Sequence, residues 1–407
     1  MPVPDLAPFR GLRYTTGPDL TAVTAPPYDV IEPAERDALA ASASTNAVHL
    51  ILPEDPSGGG DPYAAAAAAL ADWRARGVLV ADTAPLLYAY RMDAPLPGGA
   101  THRTIGVIGA LGLPPDPATG DVLPHERTLP KAKSDRLALL RATRANFDPI
   151  WGLSLAVGLT ELAADVPAVA WATDGAGVRH EIGLIDDPER IEKVRAVVRS
   201  RPVVLADGHH RFETACTYRA ESASSGSDAI LCLVVELDDA QLDVRPFHRV
   251  VRGGPADLRE RLAGAFTIRD AGAANDAGVA ALLDEMAARR ALGLIDRDGL
   301  ALLAPDATQE QVLDAELPEC LRDVDAARFD VAVKPLLGDD ATLAYRNDVV
   351  AVSHAVATGD ADAAILLRPA PIDAIGAAAD AGVRMPEKTT YFAPKPRTGM
   401  VMRSLDE

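Results

Sequence analysis

The chain has 407 residues, nearly half of them apolar, with a formal net charge of −19 and three cysteines. That length and apolar content predict a globular protein of two or three domains and exclude a disordered one. The charge repels nucleic acid and anionic membranes, so neither is an expected partner. Cys216, Cys232 and Cys320 lack the spacing of a zinc or redox pair, as expected of a reducing compartment. No apolar run approaches the ~20 residues that cross a bilayer, and the first residues do not read as a signal peptide, so a soluble, cytoplasmic protein is expected.

In chain order, residues 1–35 are rich in proline and arginine, and "APPYDVIEP" (25–33) reads as a rigid extended loop. "DPYAAAAAALADWRARG" (61–77) is a helix, with Asp61 as N-cap, Pro62 in the first turn and Gly77 as the stop. "PLLYAYRM" and "RTIGVIGALGL" are two strands joined by a glycine-containing turn. "LPHERT" (123–128) is irregular and polar, and a helix follows from Ser134 to Asn146. Residues 167–186 alternate as a hairpin around Asp174 and Gly177, and 187–200 are helical. "PVVLAD" then reads as a short buried strand, and a helix starts near His209. "AILCLVVEL" (229–237) is a central strand, continuously apolar, and "LDVRPFHRVV" (242–251) is a strand interrupted at Pro246. Helix and strand alternate to the proline-rich tail, 384–401. The fold class expected is mixed α/β, in three stretches: 1–160, 161–252 and 253–407.

The densest chemistry is "ADGHHR" (206–211), where the buried strand gives way to a helix. Such a junction exposes backbone N–H groups at the positive end of a helix, and Gly208 lets a ligand come close. His209, His210 and Arg211 add donors, and the planar guanidinium suits a phosphate. Gly208, His209, His210 and Arg211 are therefore expected to bind phosphate, and Lys133 and Arg136 to close over it. Asp207 is expected to hold magnesium or to orient a histidine. Asp207, His209 and His210 also stand as catalytic candidates, and with them Glu126, a carboxylate in the irregular segment that can take a hydroxyl proton. Tyr28 and Asp29 in the rigid loop, with Arg10 and His248, are the candidate contacts for an acceptor.

The box resembles that of the ParB/sulfiredoxin-like superfamily, and within it the free-serine kinases, whose box reads Asp-Gly-His-His-Arg. Sulfiredoxins carry a reactive cysteine where this chain has His209, and ParB proteins carry Glu-Arg-Arg after the glycine, so neither of those activities is implied. Over its full length the chain is similar to the bacterial family called domain of unknown function 1015, through "PFRGLRY", "APPYDVI", "LPHERT", "KSDRLALLRATRANFDPIWGL", "ADGHHRFETA", "PFHRVV" and "MPEKTTYF". The resemblance to the kinases implies a ParB/sulfiredoxin-like core with flanking α/β regions. It also implies phosphate transfer from ATP, ADP or pyrophosphate, with magnesium, to a small substrate, free L-serine first. The upstream glutamate of those kinases is the base, which gives Glu126 its role by analogy. A metal-dependent hydrolase and a nucleotide-binding regulator without turnover are the alternatives. The assembly is left open, a homodimer included.

Overall fold

A computed structural model describes residues 4–54, 60–116, 120–124, 133–222, 225–238 and 240–406. The described residues form two compact units: those up to Leu242 together with Pro394 onward, and Asp243–Ala393. Each is a mixed α/β structure.

The first unit is built on a nine-stranded sheet. Its strands are β1 (Leu6–Ala7), then β4 (Leu87–Pro95) and β5 (Thr101–Gly112), which follow the short strands β2 (Gly11–Tyr14) and β3 (Leu79–Ala81) of a second sheet. Next come β6 (Val122–Pro124), β8 (Ile150–Ser154), β9 (Ala168–Thr173), β10 (Arg179–Ile185), β11 (Val203–Asp207) and β12 (Ala229–Glu236), while β7 (Ala145–Asn146) belongs to the second sheet. The large sheet runs β6-β11-β8-β12-β5-β4-β10-β9, with β1 added against β5. The central place of β12 follows from its composition: Ile230–Val235 are all buried, which only a strand covered on both faces tolerates. It lies parallel to β8, with Leu233 opposite Trp151, and antiparallel to β5, with Leu231 opposite Ala110.

The helices of this unit are α1 (Pro33–Ser42), α2 (Val48–Ile51), α3 (Pro62–Ala75), α4 (Lys133–Thr143), α5 (Leu159–Ala164), α6 (Pro188–Arg199) and α7 (His209–Glu221). Their starts follow local chemistry. Asp61 accepts from Tyr63 N at 2.9 Å, and Asp187 from Glu189 N and Arg190 N, each ahead of a proline in the first turn. Leu159 and Ala163 of α5, Val194 and Val198 of α6 and Phe212 and Ala215 of α7 pack on sheet residues such as Val203, Leu205 and Val234 in one core. Asp174 shapes the β9–β10 hairpin by accepting from Ala176 N and Val178 N at 2.9 Å.

The stretches expected as 1–160 and 161–252 share this one sheet: β11 and β12 of the second lie on either side of β8 of the first. The chain leaves the unit after Leu242 and re-enters it at Pro394. There Met402–Ser404 forms the strand between β2 and β7 in a four-stranded sheet. Pairings over such separations leave no trace in local sequence pattern. The helix expected to reach Asn146 stops at Thr143, because Arg144 takes positive φ and Ala145–Asn146 joins the four-stranded sheet.

The second unit has a six-stranded antiparallel sheet in the order Phe266–Gly272, Gly299–Pro305, Leu292–Asp296, Ala363–Leu366, His248–Arg252, Thr342–Arg346. Its core joins Val279, Leu282 and Met286 of the helix Asp276–Arg289 to Val250, Leu302 and Ala364 of the sheet. Asp243–Arg245 pairs with Tyr391–Ala393, so the strand expected over 242–251 is two strands in two different sheets, separated at Pro246–Phe247. Proline has no N–H to give a ladder, and the chain changes partner there.

Candidate active site

The site grows from the end of β11. Val203 and Val204 pair in parallel with Val122 and Leu123 of β6, and in antiparallel with Ser154 and Leu153 of β8. Four buried residues, Val203–Ala206, anchor the strand and bring Asp207 to its end. Gly208 then turns the chain in the left-handed region, φ 84° and ψ 27°, and α7 begins at His209. A side chain is excluded at this turn twice over. The dihedral disfavours it, and a Cβ would lie 2.7 Å from Ile150 Cγ2. As N-cap, Gly208 itself offers no side-chain acceptor to the positive end of the helix.

Around this junction lies a network of charges. Arg211, one turn into α7, donates through Nη2 to Asp207 Oδ2 at 2.9 Å. Its Nη1 donates to Pro149 O at 2.9 Å and to Asp148 Oδ2. Lys395 Nζ donates to Asp207 Oδ1. All four side chains are nearly buried, at 10–15 % exposure. Burial alone would raise the Asp207 carboxyl, but the charges of Lys395 and Arg211 hold it down at about 2. For Arg211, burial works against the cation and the carboxylates of Asp148 and Asp207 more than restore it, so its pKa is raised. Burial pushes the carboxyl of Asp148 up, against the pull of Arg211.

Arg136, on α4, is held by Asp135 and by Ile51 O, the latter at 2.8 Å, and its guanidinium lies 4.2 Å over the Tyr28 ring. Burial raises the Tyr28 phenol to about 12, although Arg211 draws it down. Tyr28 and Asp29 open a short 3-10 turn, Tyr28–Val30, where an extended loop was expected. Tyr28, Asp29, Asp148, Arg136 and Arg211 are near enough to act on one another electrostatically. The structure therefore brings Tyr28, Asp29, Arg136, Asp207, Gly208, His209, His210 and Arg211 into one neighbourhood.

Two candidates stand apart in their contacts. Arg10 is exposed and donates to Asp82 O at 2.8 Å. His248 belongs to the second unit, where its buried Nδ1 accepts from Leu367 N and burial pushes its pKa down to about 4. Lys133 is the first residue of α4, but its side chain is outside the described residues, and so is the whole of Glu126.

Sequence reasoning singled out neither Lys395 nor Asp148. The re-entering C-terminal segment delivers the lysine. Arg397 N donates to Tyr90 Oη at 2.9 Å, and its guanidinium donates to Thr24 Oγ1 and Thr24 O. Thr398 exchanges backbone hydrogen bonds with Ala25, and Gly399 N donates to Phe147 O. Pinned on both sides, the segment also holds the turn that carries Tyr28, through Thr398 Oγ1 to Pro26 O at 3.1 Å. The signal in the sequence was a lone lysine between two prolines in "APKPR".

Both oxygens of Asp207 already hold cations, and among the described residues no three His, Cys, Asp or Glu side chains converge as metal ligands do.

Fold and site thus define a mixed α/β protein in which the end of β11 leads, through a glycine N-cap, into a helix N-terminus beside a buried network of carboxylates and cations. The chain belongs to the family described as "Protein of unknown function (DUF1015)", which matches residues 6–327. No curated protein matches it. Among solved structures it is similar to a conserved hypothetical protein from Pyrococcus furiosus, at 10% identity and a TM-score of 0.38, covering 72% of this chain and 91% of that one. A free serine kinase in complex with AMP is similar at 10% identity and a TM-score of 0.39, covering 71% and 87%. SbnI with C-terminal truncation, from Staphylococcus aureus, is similar at 12% identity and a TM-score of 0.35, covering 71% and 84%.

Proposed function

We propose that this protein transfers a phosphoryl group from a nucleotide or pyrophosphate to a small hydroxyl compound, with free L-serine as the first candidate and O-phosphoserine as its product. The observation that carries the reading is the β11–Gly208–α7 junction, a helix start whose N-cap is a glycine that no other residue replaces without strain. Backbone N–H groups at such a start attract phosphate oxygens. His209 and His210, in the first turn, add imidazole donors. Arg211 is spent on Asp148 and Asp207, so its part is to fix the strand end rather than to meet the donor directly. Glu126 is the proposed base. It takes the acceptor's hydroxyl proton as that oxygen attacks phosphorus, and the rest of the donor leaves with the electrons of the broken P–O bond.

The hydrolase alternative needs a resident metal, and the described residues offer no cluster for one. The test is direct. Purified full-length protein is incubated with magnesium, L-serine and ATP, ADP or pyrophosphate in turn, and followed by phosphorus NMR. A phosphoserine resonance that appears with one donor, and is lost in Gly208→Ala, is expected. No phosphorylated acceptor with any of the three donors refutes the reading.

A further inference from the structure

Beside the charge network lies an open hollow. It is lined by Arg136, Leu139 and Leu140 of α4, the Ala145–Asp148 turn, Arg211 and Thr214 of α7, Ile51 and Ile230. It encloses about 470 Å³ including its mouth, and the enclosed part has room for only a handful of heavy atoms. A molecule the size of an amino acid fits it.

The polar atoms around the hollow are unequally committed. Arg211 is shared by two carboxylates and a carbonyl, and Arg136 by Asp135, Ile51 O and the Tyr28 ring. Both cations are occupied. Asp148 commits only Oδ2, to Arg211, and its Oδ1 has no hydrogen-bond partner among the described residues. Thr214 is 4% exposed, and its Oγ1 is buried without a partner among the described residues. Arg211 and Thr214 are three apart on α7 and so share a face, which brings the hydroxyl to the side where Asp148 is bound. The uncommitted groups are therefore a carboxylate oxygen, which accepts, and a hydroxyl, which can accept as well as donate. Among the described side chains, the carboxylates of Asp29, Asp135, Asp148 and Asp207 stand with the cations of Arg136, Arg211 and Lys395, and His209 also acts on Asp207. A group that donates hydrogen bonds and carries positive charge suits these atoms, whereas an anion would face the uncommitted oxygen of the Asp148 carboxylate.

We propose that the hollow binds the ammonium group of a small primary amine, with Asp148 Oδ1 and Thr214 Oγ1 as its two acceptors. The proposal rests on the phosphotransfer reading and deepens it: the acceptor would be an amino alcohol or hydroxy amino acid, distinguished from a hydroxy acid by this contact. The amine keeps its proton, and no covalent step occurs here.

Calorimetry on the full chain without any phosphate donor tests it, with L-serine, ethanolamine and glycerate as probes. Serine and ethanolamine are expected to bind, and glycerate at least about tenfold more weakly, the worth of one charge-assisted hydrogen bond. Asp148→Asn should remove amine binding. Because it also breaks the pair with Arg211, Thr214→Val is the second variant, expected to weaken both amines about fivefold or more and to leave glycerate unchanged. Glycerate binding as well as serine, amine affinity unaltered in Thr214→Val, or displacement of the amine by inorganic phosphate alone would each overturn the proposal. Amine binding with no phosphoryl transfer would sink the function reading and leave this one standing, while transfer to glycerate as readily as to serine would do the reverse.

Discussion

Lys395→Met tests whether the C-terminal segment is energetically part of the site. The lysine is nearly buried and reaches Asp207, whose carboxyl falls from 3.8 to about 2. A carboxyl held that far down stabilises the fold by roughly 2–3 kcal/mol, with the lysine as the largest favourable contributor and Arg211 next. Removing the ammonium leaves the carboxylate with Arg211 alone, so a loss of about 1.5–3 kcal/mol at pH 7 is expected. The sign with pH follows from a depressed carboxyl. The pair's contribution is complete above the unfolded pKa near 4 and is lost as pH falls toward 2, so roughly half remains at pH 3. Urea denaturation of the parent, Lys395→Met, Asp207→Asn and the double variant, at pH 7 and pH 3, isolates the pair as a coupling energy. A coupling below about 0.5 kcal/mol at pH 7, or one of equal size at both pH values, would refute the reasoning.

Gly208→Ala should cost about 2 kcal/mol or more, since alanine meets both the positive φ and Ile150, and equilibrium denaturation reads it; a cost near zero would show that the turn relaxes freely. His248 supplies a second pH signature, in the second unit. Its folded pKa near 4 lies below the unfolded value near 6.5, so the neutral ring contributes stability above pH 6.5 that is lost as pH falls to 4, about 3 kcal/mol in all. Denaturation midpoints for the parent and His248→Gln across that window should diverge in slope, the variant being the flatter, and parallel slopes would contradict this account.

Much of the local structure could be read from residue chemistry. Asp61-Pro62 and Asp187-Pro188 start helices because their side chains and fixed φ satisfy the first turn without help from elsewhere. The apolar run of β12 announces a strand covered on both faces, and "ADGHHR" announces a strand end turned by glycine into a helix. What escaped was long-range. Lys395 reaches Asp207 across 188 positions, and Arg211 reaches Asp148 across 63. Nothing in a tail of prolines says which carboxylate it will meet, and Arg211 looked available for phosphate because its two acidic partners come from separate strand and turn segments.

The amino-acid sequence by itself determined the elements and their chemistry: the helix starts, the buried strands, the glycine turn and the donors grouped behind it. These depend on neighbours a few positions apart, where propensity, capping and hydrophobic period act. Tertiary structure alone decided that β8 separates β11 from β12, that the final residues return to the first unit, and which charges were paired. Pairing between distant segments depends on the whole sheet being formed and on burial making each unpaired charge costly, and neither condition is written in any local stretch.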